Sequence, residues 1–231
     1  MEFLTISLLN GLSYGLLLPG ALAIWRSLVR RHQLEGLQRR WLRLGERGLP
    51  LPGAQVIPAL LGPSLRRALE RAGVELRCEH LNELPAAGPV VLACGAGCRA
   101  LAPGLDGRLG VSWAGILELE RAEGRAALGW GRGLARLPGR FSRLELERRA
   151  PQLQQQEWVV DPGLVPCGNR LLAGQISLIR PGLEAGPPPD PALMEQRLRQ
   201  GLAKRWPRLA TAPGHYRQAP VSFCSDGVPL A

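Results

Sequence analysis

The sequence predicts a mixed α/β (α+β) protein, with an α/β layer, a mixed and largely antiparallel sheet after it, and an apolar helix in front. Three observations predict this. A helical run, a glycine, an alternating run and a continuous apolar run follow one another between Pro63 and Cys94, the order expected of a layer with a buried strand. Two runs rich in β-branched and large apolar residues, 158–165 and 171–179, flank the turn-forming tetrapeptide Pro166-Cys167-Gly168-Asn169, which predicts a hairpin. Residues 3–25 carry no charge at all, unlike anything later in the chain.

Taken in order, 3–25 is long enough, at about 1.5 Å per residue, to cross a hydrocarbon layer ~30 Å thick as a helix. Arg26, Arg30 and Arg31 follow at once, which places the C-terminal side in the cytoplasm if the segment inserts. The alternative is an apolar helix packed on the rest of the protein and broken at Pro19. A cleaved leader fits less well, because Glu2 is the only charge ahead of the apolar run and a basic start is expected there. Residues 21–47 read as one helix, with Leu22, Trp25, Leu28, Val29, Leu34, Leu37, Trp41 and Leu44 on a stripe and arginines opposite. Those arginines form either a solvated face or a contact for anionic lipid.

Pro63-Ser64 predicts a helix start, running to Gly73. Residues 74–78 alternate as a short strand, and 89–94 form a continuous apolar strand of the buried kind. Residues 110–120, 126–131 and 141–146 read as further strands. Asp190 precedes Pro191, an N-cap followed by proline at the first helical position, which predicts a helix over 191–206 with Leu193, Leu198 and Leu202 pointing inward.

The composition narrows the function classes. The 231 residues hold 45% hydrophobic and 21% charged side chains, as a globular core requires and a disordered chain does not. The net charge of +10 comes from 29 basic residues, of which Lys204 is the single lysine. They are spread along the chain without interleaved aromatics, so no nucleic-acid partner is expected. Five cysteines without framework spacing argue against a disulfide scaffold. Cys94 and Cys98 lack the further ligands that zinc would need, so no metal is expected. His80 and His215 are isolated, which suits core or surface positions better than catalysis.

Two runs then stand out, Pro89-Val90-Val91-Leu92-Ala93-Cys94-Gly95-Ala96-Gly97-Cys98 and Ser225-Asp226-Gly227-Val228-Pro229-Leu230-Ala231. Together they resemble the FAD-dependent oxidoreductases of the D-amino-acid oxidase and glycine oxidase type. In that family the first is a strand bringing a small-residue turn to the flavin, and the second is a turn near its C-terminal flavin contacts. The hairpin sequence GNRLLAGQISLIRPG and the helix sequence LRQGLAKRWPRL resemble a strand and a helix of the family's substrate domain. The resemblance covers about 21–231. It implies an incomplete FAD-binding α/β region over 26–110 and a substrate-domain-like sheet and helix over 111–231, after the apolar segment 1–25. Residues 1–18 separately resemble the opening of ABC permeases for branched-chain amino acids or urea, which makes a hybrid reading frame the expectation at Leu18-Pro19.

The family oxidises an amine or amino acid to an imine, with hydride transfer to FAD. By resemblance, cofactor contacts fall to Leu81, Ala93, Cys94, Gly95, Ala96, Asp226 and Gly227, and candidate catalytic groups are Tyr216 and Arg217. The sequence departs from the family at two points. No G-x-G-x-x-G loop, which would set the pyrophosphate on a helix N-terminus, is found. Val221 also occupies the place where an arginine often holds the substrate carboxylate. Two functions therefore stay open: an oxidoreductase acting on a small-molecule amine or amino acid, or a non-catalytic remnant or membrane-tethered interaction module. The location expected is cytoplasmic, or membrane-anchored through 3–25 with the remainder in the cytoplasm.

Overall fold

A computed structural model describes residues 16–17, 27, 30–31, 34–45, 48–105, 107–120 and 135–226. The chain has mixed α/β content and divides into two compact units, Met1–Glu79 with Gly131–Leu137, and His80–Trp130 with Pro138–Ala231. Among the described residues no helix is long and apolar enough to cross a membrane. Most of 3–25 lies outside them. Its Leu16–Leu17 forms a short strand, β1, so the expected helix is not continuous through those two residues.

In the first unit, β2 (Leu37–Leu44) and β3 (Leu51–Val56) form an antiparallel hairpin with Leu37 opposite Val56 and Leu42 opposite Leu51. Strand β1 adds to β3, and β5 (Ala135–Leu137) lies parallel to β2. The helix expected over 21–47 is thus corrected. Ser27, Arg30 and Arg31 are helical, but the second half is a strand. Gly36 marks the change. Its φ of +92° is one that other residues rarely adopt, and a Cβ there would lie 2.7 Å from the Leu61 amide nitrogen. The stripe at Leu37, Trp41 and Leu44 suits a helix locally, yet pairing with β3 decides the outcome.

Helix α1, Pro58–Arg71, starts five residues earlier than Pro63 predicts, because Pro58 takes the first turn and Pro63 is accommodated inside. Its C-terminus matches expectation. Gly73 sits at φ +75°, with its amide on the Glu70 carbonyl and that of Val74 on the Leu69 carbonyl, both at 3.0 Å, the bonding of a Schellman motif. The buried Ser64 hydroxyl receives the Glu35 amide at 3.0 Å, tying α1 to the chain before β2.

The second unit is built on antiparallel strands in the order β6-β7-β4-β8: β4 Leu109–Glu120, β6 Glu157–Cys167, β7 Arg170–Ile179 and β8 Gly214–Cys224. The β6–β7 hairpin closes at Cys167 opposite Arg170. Gly168 turns at φ +60°, where a hairpin turn of the II′ kind takes glycine. Helix α4, Pro191–Ala203, is capped by Asp190, whose carboxylate accepts the Ala192 amide at 3.0 Å. It ends three residues short of Trp206. Met194, Leu198 and Leu202 are fully buried against Leu117, Leu119, Leu164, Leu171 and Ile176, whereas Leu193, expected inward, is 38% exposed. Gly201 admits this packing: a Cβ there would stand 2.7 Å from Val160 Cγ1.

Other expected strands are corrected as well. Residues 141–146 belong instead to helix α3, Ser142–Arg149. Residues 74–78 and 89–94 have extended or irregular backbone without strand pairing among the described residues, and Val91 is 89% exposed. Their apolar content suits a sheet interior, but no neighbouring strand receives them, so the buried strand expected over 89–94 is not formed. Residues 126–131 lie outside the described residues.

Candidate functional site

The predicted cofactor contacts occupy a chain segment with little cover. Leu81 is half exposed on irregular backbone. Ala93 and Cys94 are exposed just before a 3₁₀ turn, Gly95–Gly97, in which Gly95 takes φ +58°. A Cβ on Gly95 would have only Ser222 Oγ for company, at 3.8 Å. Ala96 lies within that turn. The helix that follows, α2, is a single turn, Cys98–Leu101. These residues do not fit the tight flavin turn that a sheet strand would present, and no chemical step through FAD follows from them. Asp226 is paired with Arg108 at 3.2 Å, and Gly227 lies outside the described residues.

Tyr216 and Arg217 stand on β8, opposite Leu117 and Ile116 of β4. Alternation sends adjacent side chains to opposite faces of a sheet. Tyr216 packs against the α4 core, with its ring over Gly115, where a Cβ would lie 1.9 Å from the phenol oxygen. Its hydroxyl donates to Gln218 Oε1 at 3.2 Å. Burial first, and the Glu195 carboxylate second, push the phenol well above its ordinary range, so it stays protonated at any physiological pH. Arg217 lies on the other face, 3.1 Å from Glu118, which also holds Arg170. The two candidates therefore do not converge on one substrate position.

A second cluster, which the sequence pattern did not single out, lies on the α3 side of the same sheet. Asp161 on β6 accepts the Ser142 amide at 2.7 Å and the Arg143 amide at 3.0 Å. These are the opening amides of α3, whose own N-cap position, Phe141, has no side chain to offer. A carboxylate from a neighbouring strand thus does the work of a cap and faces the positive end of the helix. One turn on, Arg143 and Glu147 form an ion pair at 3.4 Å with side-chain exposures of 6% and 5%. Gln175 and Ser177 of β7 hydrogen-bond each other at 3.2 Å, and Ser112 of β4 is equally buried.

The electrostatics follow from one guanidinium facing two carboxylates. Burial raises Glu147 to about 7, opposed by Arg143, supported by the negative charge of Asp161, and opposed again by the Ser112 hydroxyl. Glu147 Oε1 has no hydrogen bond. Burial also raises Asp161, against the two amides and Arg143. A proton on Glu147 leaves the cluster neutral, which is the low-energy arrangement in a dry interior. This chemistry is that of a buried, proton-holding structural network.

The cluster left one signal in the sequence. Arg143 and Glu147 are spaced i, i+4, a helical pairing distance, but the strand-like composition of 141–146 masks it. Among the described residues no group of three or more metal-ligating side chains gathers. No protein-family model matches the chain, and no curated protein matches it.

Proposed function

We propose that this chain is a non-catalytic module of the FAD-dependent amine and amino-acid oxidoreductase type, keeping the substrate-side sheet and helix without turning over substrate itself. The resemblance in GNRLLAGQISLIRPG and LRQGLAKRWPRL supports the family, and those residues form the turn before β7, β7 itself and the C-terminal half of helix α4. The observation that carries the non-catalytic reading is the separation of Tyr216 and Arg217 by the sheet, with Arg217 already on a carboxylate. An arginine engaged by Glu118 is not free to clamp a substrate carboxylate in the bidentate way that orients it. The exposed Leu81, Leu84, Val90 and Val91 suit contact with a partner better than they suit a flavin wall.

The experiment is a titration of the purified full chain with FAD, followed by gel filtration and anaerobic addition of a panel of amines and amino acids. The expected outcome is flavin eluting apart from the protein and no bleaching of its absorbance. Stoichiometric flavin that co-elutes and is reduced by one of the amines would establish the oxidoreductase reading instead.

A further inference from the structure

Cys94 and Cys98 play no part in the proposed function, and their thiols lie side by side. Cys94 Sγ lies 3.4 Å from Cys98 Sγ. The turn between them makes this possible. Gly95 at φ +58° begins the 3₁₀ turn, the Gly97 amide donates to the Cys94 carbonyl at 3.1 Å, and α2 starts at Cys98. A Cβ at Gly97 would lie in ordinary van der Waals contact with Cys94 Sγ, at 3.8 Å. Arg99, next in the chain, donates to the Leu183 carbonyl at 2.9 Å and holds Glu184, which anchors the turn to the body of the unit. Cys94 is exposed and Cys98 is buried.

The geometry points to a redox site: Cys94 and Cys98 form a reversible intramolecular disulfide when the chain meets a small-molecule disulfide such as oxidised glutathione. The sulfurs need to close from 3.4 Å to the roughly 2.05 Å of an S–S bond, a movement that side-chain rotation and the glycine-flanked turn can supply. Exposed Cys94 loses its proton to water and its thiolate attacks one sulfur of the oxidant. That forms a mixed disulfide and expels one thiolate, which takes up a proton. Cys98 then loses its proton and attacks the Cys94 sulfur, expelling the second thiol. Two protein thiols are oxidised and one small-molecule disulfide is reduced to two thiols, so atoms and electrons balance. Buried Cys98 is the resolving partner because the oxidant reaches Cys94 first. The Cys98 sulfur, through its hydrogen bond, and to a lesser degree burial hold the Cys94 thiol above its ordinary range, and Cys98 is the titratable group that faces it. The closing rate is therefore expected to rise about tenfold per pH unit across neutral pH, as the thiolate fraction does.

The test treats the folded full chain with oxidised glutathione at several pH values, quenches free thiols by alkylation, and maps the peptides by mass spectrometry. The expected result is a peptide holding both Cys94 and Cys98, lighter by about 2 Da than the reduced one and restored by a dithiol reductant. Cys98→Ser should trap a glutathione on Cys94, and Cys94→Ser should leave Cys98 unmodified. The proposal is overturned if the wild-type chain carries glutathione on Cys94 with Cys98 still alkylatable, or if Cys94 pairs with Cys78, Cys167 or Cys224. A closing rate unchanged with pH would overturn it as well.

Discussion

The two faces of the β6-β7-β4-β8 sheet solve the same burial problem with different chemistry. Toward α4, the sheet offers Leu117, Leu119, Leu164, Leu171, Ile176 and Leu178, and the helix answers with Met194, Leu198 and Leu202. Toward α3, it offers Ser112, Asp161, Gln175 and Ser177 beside a smaller apolar patch of Ile179 and Phe223, and the helix answers with Arg143 and Glu147 beside Leu146. The first face gains from every methylene removed from water. The second gains little from its charges, because desolvation offsets most of their attraction. What it has instead is direction: the Asp161 carboxylate fits one helix N-terminus in one orientation. The difference teaches that α4 supplies stability and α3 supplies a specified, proton-sensitive position.

Truncating the apolar face should produce the largest effect. Leu198→Ala removes a fully buried side chain and is expected to cost about 2–5 kcal/mol in denaturant unfolding. A loss below ~1 kcal/mol would mean that α4 is not the main support of the sheet. On the polar face, Asp161→Ala leaves two helix amides without their carboxylate acceptor and Arg143 with Glu147 alone, and should cost about 3 kcal/mol. Asp161→Asn, which keeps an acceptor, should recover part of that loss. An equal loss for both variants would assign the effect to charge alone.

The smallest effect should also be the most specific. Glu147 has its folded value raised from the ordinary 4.5 to about 7, so between those values the folded chain holds a proton that the unfolded chain has released. Stability then falls as pH rises across that window. Asp161 is shifted the same way and adds to the slope from its own ordinary range upward. Glu147→Gln should flatten the dependence and raise stability at pH 8 by roughly 1–3 kcal/mol. Unfolding curves recorded from pH 4 to 8 would check this. A wild-type chain whose stability increases over that range would contradict the buried, proton-sharing cluster.

Much of the second unit is legible in the amino-acid sequence. The β6–β7 hairpin announces itself through two strand-like runs around a Gly-Asn turn and α4 through Asp190-Pro191, and 110–120 reads as the strand it is. The hairpin and α4 are settled by near neighbours in the chain, where cap, turn and pairing partner lie within a few residues, whereas the partners of the strand over 110–120, β7 and β8, lie far along the chain. The end of α1 at Gly73 is legible for the same reason. Tyr216 and Arg217 are identifiable as neighbours in sequence, and strand alternation alone separates them once β8 is known to be a strand.

The tertiary structure decided whatever depended on a distant partner. Residues 37–44 carry a stripe of helical spacing, and pairing with β3 made them a strand. Residues 89–94 have the composition of a buried strand and yet pair with nothing among the described residues, because an apolar run becomes a strand only where a sheet edge receives it. The helix α3 depends on Asp161, which lies 18 residues from Arg143, and no local signal announces a cap that arrives from another strand. Sequence determined by itself the elements whose hydrogen bonds close locally. Elements whose polar groups or apolar faces are satisfied across the fold were left to the packing, since local preferences of a few tenths of a kcal/mol to about 1 kcal/mol per residue yield to long-range burial.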